Sequence, residues 1–196
     1  MSVIRAFIAI DLPPDVLDCL SQMITQLRDQ IDEKAVRWVP VENIHITLKF
    51  LGDVSENNLD VLSEIISAEA TLQKPMEISV GRLGAFPNAR QPRVLWTGVE
   101  APPELTSLQR SIETRTTKIG YPKDKRSFSP HLTMGRVSRN CAASQVRKIS
   151  DMICSSTVGF LGAACVQSIH LYKSDLTPNG AVYTKLFSAP FGDAEN

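Results

Sequence analysis

What the chain lacks narrows its chemistry at once. It has only three histidines in 196 residues, so imidazole chemistry is confined to His45, His131 and His170. Its four cysteines, Cys19, Cys141, Cys154 and Cys165, form no C-x-x-C pair and show no zinc-ligand spacing. That argues against a dithiol centre or zinc finger and predicts isolated, buried thiols in a reducing compartment. Neither charge sign is in excess, with 21 basic and 21 acidic residues. No global field draws nucleic acid in, and any anion site must be local. No apolar run approaches the ~20 residues of a membrane span. The run over 6–10 is too short for a signal-peptide core and is broken by Asp11-Leu12-Pro13-Pro14. A soluble cytoplasmic protein is expected, built as one domain or two small lobes. There is also no G-x-S-x-G elbow for a serine nucleophile.

What is present centres on Asn43-Ile44-His45-Ile46-Thr47-Leu48-Lys49-Phe50. Read as a strand, it alternates. His45, Thr47 and Lys49 share one face, and Ile44, Ile46, Leu48 and Phe50 turn to a core. Pro130-His131-Leu132-Thr133-Met134 repeats the pattern, with His131 and Thr133 on one face. His170, in Ser168-Ile169-His170, has no Thr two residues on and reads as a packing or hydrogen-bonding residue.

The surrounding chain also repeats. A strand over 5–12 leads into a helix from Asp15 to about Gln30, opened by Pro13-Pro14. A short strand at 35–39, the His45 strand, a helix capped by Ser55 and reaching Leu72, and a bent strand over 77–86 follow. A strand at 94–99 and a helix opened by Pro102-Pro103 restart the series. The His131 strand, a helix over 142–155 and strands at 166–175 and 181–187 complete it, with a polar tail over 192–196. Pro13-Pro14 and Pro102-Pro103, His45 and His131, Val54-Ser55 and Val137-Ser138, and Pro87-Asn88 and Pro178-Asn179 match at offsets of 83 to 91 residues. One domain over 1–196, built from repeats of about 1–90 and about 91–190, is therefore predicted. The fold class is α+β: two pseudo-symmetric lobes, each an antiparallel sheet flanked by helices, around a central groove.

If the two histidine strands face each other, two imidazoles and two hydroxyls converge. Imidazole titrates near pH 6.5, so one neutral and one protonated ring can serve as base and acid in an in-line displacement. Thr hydroxyls can donate to the oxygens of a tetrahedral anion. A phosphodiester suits this set. Arg136 is a candidate phosphate clamp. The Lys118, Lys123, Lys125, Arg126 cluster is either a nucleic-acid track or a solvated loop. Among Trp38, Trp96, Phe50, Phe86 and Phe128, a base-stacking residue competes with a core role, and Phe50 is expected to face away from His45. Zinc lacks a third ligand.

These segments, with Arg5-Ala6-Phe7-Ile8-Ala9-Ile10, Arg93-Val94-Leu95-Trp96-Thr97-Gly98-Val99, Phe128 to Arg136 and the closing strand from Tyr183 to Phe187, resemble the two-histidine (2H) phosphoesterase superfamily. Within it they resemble the RNA 2',3'-cyclic phosphodiesterases, also known as 2'-5' RNA ligases, over nearly the full length. Met134 stands where relatives often carry another aliphatic residue. The resemblance implies metal-free, cofactor-free hydrolysis of 2',3'-cyclic phosphate at RNA 3' ends to a 2'-phosphomonoester. It implies His45 as proton donor to the leaving 3'-oxygen, His131 as acceptor from water, and Thr47 and Thr133 as phosphate holders. Substrates would include tRNA fragments, met by a cytoplasmic monomer away from membranes, with 2'-5' ligation as the reverse reaction. Two other readings remain: a phosphodiesterase for a small cyclic nucleotide such as ADP-ribose cyclic phosphate, and a non-catalytic RNA-end binding module.

Overall fold

The computed structural model describes residues 2–178 and 180–192. Of the expected tail only Gly192 falls within it, and Asn179 of the last repeat match lies outside the described residues. β1 (Val3–Ile10) enters the core with its last five residues buried. α1 (Pro14–Arg28) then starts at the expected prolines, since Pro14 supplies a helical φ and no donor is needed in the first turn. It buries Val16, Leu20, Met23, Ile24 and Leu27, one stripe at helical spacing. β2 (Val36–Trp38) and a 3-10 turn, Val41–Asn43, lead to β3 (Ile46–Ser55).

Ser55 does not cap a long helix, contrary to expectation. It precedes a 3-10 turn, Glu56–Asn58, without a side-chain cap bond, and α2 (Leu59–Thr71) begins after it. β4 (Met76–Phe86), β5 (Val94–Glu100), α3 (Pro103–Lys118), β6 (His131–Val137) and α4 (Ala143–Ser155) follow close to expectation. β7 (Phe160–Val166) is an addition to the expected strands. Its small-residue sequence carries no clear alternation, and it owes its extended form to pairing with β4. β8 (Ser168–Thr177) and β9 (Gly180–Pro190) end the described chain.

The strands form one antiparallel sheet in the order β7-β4-β5-β6-β3-β1-β8-β9, with β2 beside β6. It divides into a five-stranded half (β7, β4, β5, β6, β2) and a four-stranded half (β3, β1, β8, β9), joined where Ile46 of β3 pairs with Leu132 of β6. Each half takes two strands from the far half of the chain: β4 beside β5 and β2 beside β6 in one, β8 beside β1 and then β9 in the other. The helices cover one side. Val16 and Leu20, Leu62 and Ile66, and Leu105, Leu108 and Ile112 share a core with Ile8, Ile46, Leu132, Ile169 and Leu171. Ile149 and Ile153 of α4 pack with Val36, Ala85, Leu95 and Val137. Each large side chain so buried stabilises by about 1.5–3 kcal/mol. The opposite side of the junction carries Thr47 of β3 and His131 and Thr133 of β6.

Candidate active site

The Ile46–Leu132 pair positions the site. Extending its antiparallel register by one residue each way sets His45 opposite Thr133 and Thr47 opposite His131. All four point away from the helices, because Ile46 and Leu132 are completely buried. His131 opens β6, whereas His45 lies just before β3 in extended backbone after the 3-10 turn. Among the described residues no hydrogen bond occupies either Thr hydroxyl.

Both strands then bulge at the residue after the threonine. Ile8 pairs with Lys49 and Ala9 with Thr47, leaving Leu48 unopposed. Leu95 pairs with Gly135 and Trp96 with Thr133, leaving Met134 unopposed. An extra residue reverses the alternation beyond it. Two expectations are corrected here. Lys49 is buried on the helix side, and Phe50 is 63% exposed on the histidine side, its ring 6.0 Å from Phe7. Likewise Arg136 comes to the open face rather than following Leu132 and Met134 inward. Gly135 permits this arrangement, since a Cβ there would lie 2.7 Å from Val36 Cγ1 and 3.2 Å from Trp38 Cε3.

The two imidazoles are held alike. His45 Nδ1 lies 2.9 Å from the Asn43 carbonyl oxygen and His131 Nδ1 lies 2.7 Å from that of Ser129. A carbonyl only accepts, so each Nδ1 carries the hydrogen and each Nε2 is left for a ligand. Burial lowers the proton affinity of both rings, His45 to about pKa 4, against the pull of those carbonyls. Burial thus favours the neutral form of both rings in the free protein.

A family model described as LigT-like phosphoesterase matches residues 10–96. The RNA 2',3'-cyclic phosphodiesterase of Methanothermobacter thermautotrophicus is 36% identical over 93% of this chain and 96% of its own. That of Archaeoglobus fulgidus is 37% identical over 93% and 97%. The chain belongs to the LigT-like phosphoesterase family. A crystal structure from Thermus thermophilus shares the fold with TM-score 0.81, at 26% identity over 97% of this chain and 100% of its own.

As a LigT-like protein the chain shows surroundings that the motifs alone do not reveal. His45 stacks on Phe7 at 4.7 Å, which in turn stacks on Tyr172 at 5.3 Å, and Tyr183 meets His45 edge-on at 5.4 Å. Tyr172 donates to Asp11, 2.7 Å away, and Asp11 also receives Lys185 at 2.7 Å. His170 is buried between Ser168 and Ser188, 3.5 Å from Asp11, and so only packs and hydrogen-bonds. Phe86 lies edge-on to His131 at 4.9 Å, with Trp96 at 6.3 Å. Trp38 and Phe128 are half-buried against the core. The cysteines are free but none is buried, and Cys154 and Cys165 are exposed, contrary to expectation.

Behind the site, Lys49 pairs with Glu113 of α3, both side chains at most 6% exposed. Burial would raise the Glu113 pKa, but hydrogen bonds from Lys49, the Asp124 amide and Gln109 hold it below the usual carboxylate range. Lys49 also donates to the Pro122 carbonyl. The motif lysine thus ties β3 to the segment that leads into His131. In that segment Arg126 is bound to Asp124 at 3.2 Å, while Lys123 and Lys125 are exposed. Among the described residues no three His, Cys, Asp or Glu side chains form a metal-binding group, and no helix is long and apolar enough to cross a membrane.

Proposed function

We propose that this protein hydrolyses the 2',3'-cyclic phosphate at RNA 3' ends to a 2'-phosphomonoester, using no metal or cofactor. The reading is carried by one observation: the Ile46–Leu132 pair holds His45, Thr47, His131 and Thr133 together on one open face. The names of the relatives support the substrate.

In the proposed reaction, water attacks phosphorus and His131 Nε2 takes its proton. The bond from phosphorus to the 3'-oxygen breaks, and His45 Nε2 gives that oxygen a proton. Thr47 and Thr133 donate to the non-bridging oxygens, and Arg136 adds charge at the same anion. Because His45 is neutral when free, its Nε2 takes up the proton it later donates only beside the phosphate, whose negative charge raises its pKa. The catalyst speeds the reverse direction too, joining 2'-5' ends. Free cysteines support a reducing cytoplasmic setting, where tRNA fragments would be substrates for a monomer.

The experiment is an oligonucleotide ending in 2',3'-cyclic phosphate, incubated with EDTA. The expected product is the 2'-phosphomonoester. No product, or a 3'-phosphate, overturns the reading.

A further inference from the structure

We propose that Arg37 builds a second phosphate site beside Arg136, which bridges from the cyclic phosphate to it. It holds the internucleotide phosphate on the 5' side of the terminal nucleotide and leads the RNA strand over the edge of β2. The inference rests on the phosphodiesterase reading and names which part of the RNA the protein grips beyond the cyclic phosphate.

β2 pairs with β6 so that Arg37 stands directly opposite Arg136. The Val39 amide donates to the Met134 carbonyl and the Ser138 amide to that of Ala35, both at 2.8 Å. In an antiparallel ladder those bonds flank a hydrogen-bonded pair at 37 and 136, with Cα atoms about 5.5 Å apart and both side chains on one face. Like charges directly opposite repel and destabilise the pairing. Both arginines are exposed, and none of the ion pairs among the described residues includes either. The face is the one the bulge at Met134 opens, and the Arg136 charge is felt at His131.

Arg37 also borders a cleft of about 710 Å³ between the C-terminal end of α1 and β2. Arg28 and Lys34 stand on its wall against the single acid Glu33, and Trp38 adds a flat surface. The cationic path therefore runs from the histidines through Arg136 and Arg37 into this cleft. Guanidinium forks match phosphate oxygens two at a time, which favours a polyanionic strand over an uncharged ligand. In the rival basic segment before His131, Asp124 already neutralises Arg126.

The test compares a 2',3'-cyclic mononucleotide, a dinucleotide and a hexanucleotide with the same end, in EDTA. For the wild type, kcat/KM rises about tenfold or more once the second phosphate is present. Arg37→Gln lowers the dinucleotide value about tenfold and the mononucleotide value less than about twofold, and Arg37→Lys recovers part of the loss. Arg37→Gln also flattens the dependence of log kcat/KM on log salt by about 0.7, one single-strand phosphate contact. The surface pair Arg28→Gln, Lys34→Gln lowers only the hexanucleotide value, while Arg147→Gln on α4 changes nothing.

Equal wild-type rates on mononucleotide and dinucleotide overturn the proposal. So does an equal loss on all three substrates in Arg37→Gln, or a length preference abolished by Lys123→Gln, Lys125→Gln instead. Absence of wild-type turnover on every substrate overturns the phosphodiesterase reading, and this proposal with it.

Discussion

The two histidine strands have the same skeleton and different surroundings. Each places a His and a Thr on the open face, gives Nδ1 to the carbonyl two residues back, and bulges at the residue after the threonine. Beyond the bulge they diverge. The first strand turns Lys49 into a buried ion pair and Phe50 outward, while the second has Gly135 against β2 and Arg136 outward. His45 is packed among Phe7, Tyr172 and Tyr183. His131 has Phe86 and Trp96 to one side and is the more open of the two. A cyclic phosphate is asymmetric, with a water entering on one side and a ribose oxygen leaving on the other. Near-identical arms with unlike shells can give the two imidazoles separate tasks.

The strongest break of the comparison is removal of either ring. His45→Ala and His131→Ala are each expected to lower turnover by at least ~10²-fold, the value of one proton transfer, in a steady-state assay. If only one substitution matters, the two arms do not share the reaction. Next comes the position where the arms differ most on the helix side. Lys49→Met strands Glu113 and costs about 3–5 kcal/mol in urea unfolding, whereas Lys49→Met with Glu113→Leu recovers most of it. A third comparison concerns the hydroxyls. Thr47→Val and Thr133→Val should each weaken transition-state binding by about 1.5–3 kcal/mol, read as kcat/KM. Unequal losses would show which arm carries more of the phosphate charge.

The pH profile sharpens the difference between the rings. Reaction needs one proton on the pair, and both free rings titrate below pH 6.5, His45 near 4. Because both shifts are downward, that proton is lost below the ordinary imidazole value, and kcat/KM should already be falling about tenfold per unit above about pH 6.5. Below about pH 4 both rings are charged and it should fall again. A limb still rising through about pH 7–8 contradicts this assignment of the proton. The smallest effect is on stability at the first strand's outward residue. Phe50→Ala should change unfolding free energy by no more than about 0.5 kcal/mol, while Phe7→Ala should cost about 3–5 kcal/mol.

Much of this was legible in advance. Pro13-Pro14 and Pro102-Pro103 marked two helix starts, and the paired His-x-Thr segments marked the two stretches that meet at the junction. The face of Phe50 was not legible, because alternation holds only while the ladder keeps its register, and a bulge depends on the partner strand. β7 was illegible for a related reason, since its extended form comes from β4 rather than from its own residues. Buried Lys49 reads as a surface residue because its partner Glu113 lies 64 positions away on another element.

By itself the sequence determined the chemical alphabet: which side chains exist, their local period, and the repetition of His-x-Thr. Those properties need only neighbours along the chain. Tertiary structure decided that the two segments meet at Ile46 and Leu132, which side Phe50 and Arg136 take, and how far burial lowers each imidazole. Each of these depends on contacts between residues far apart in the chain, where register and desolvation are set by the partner.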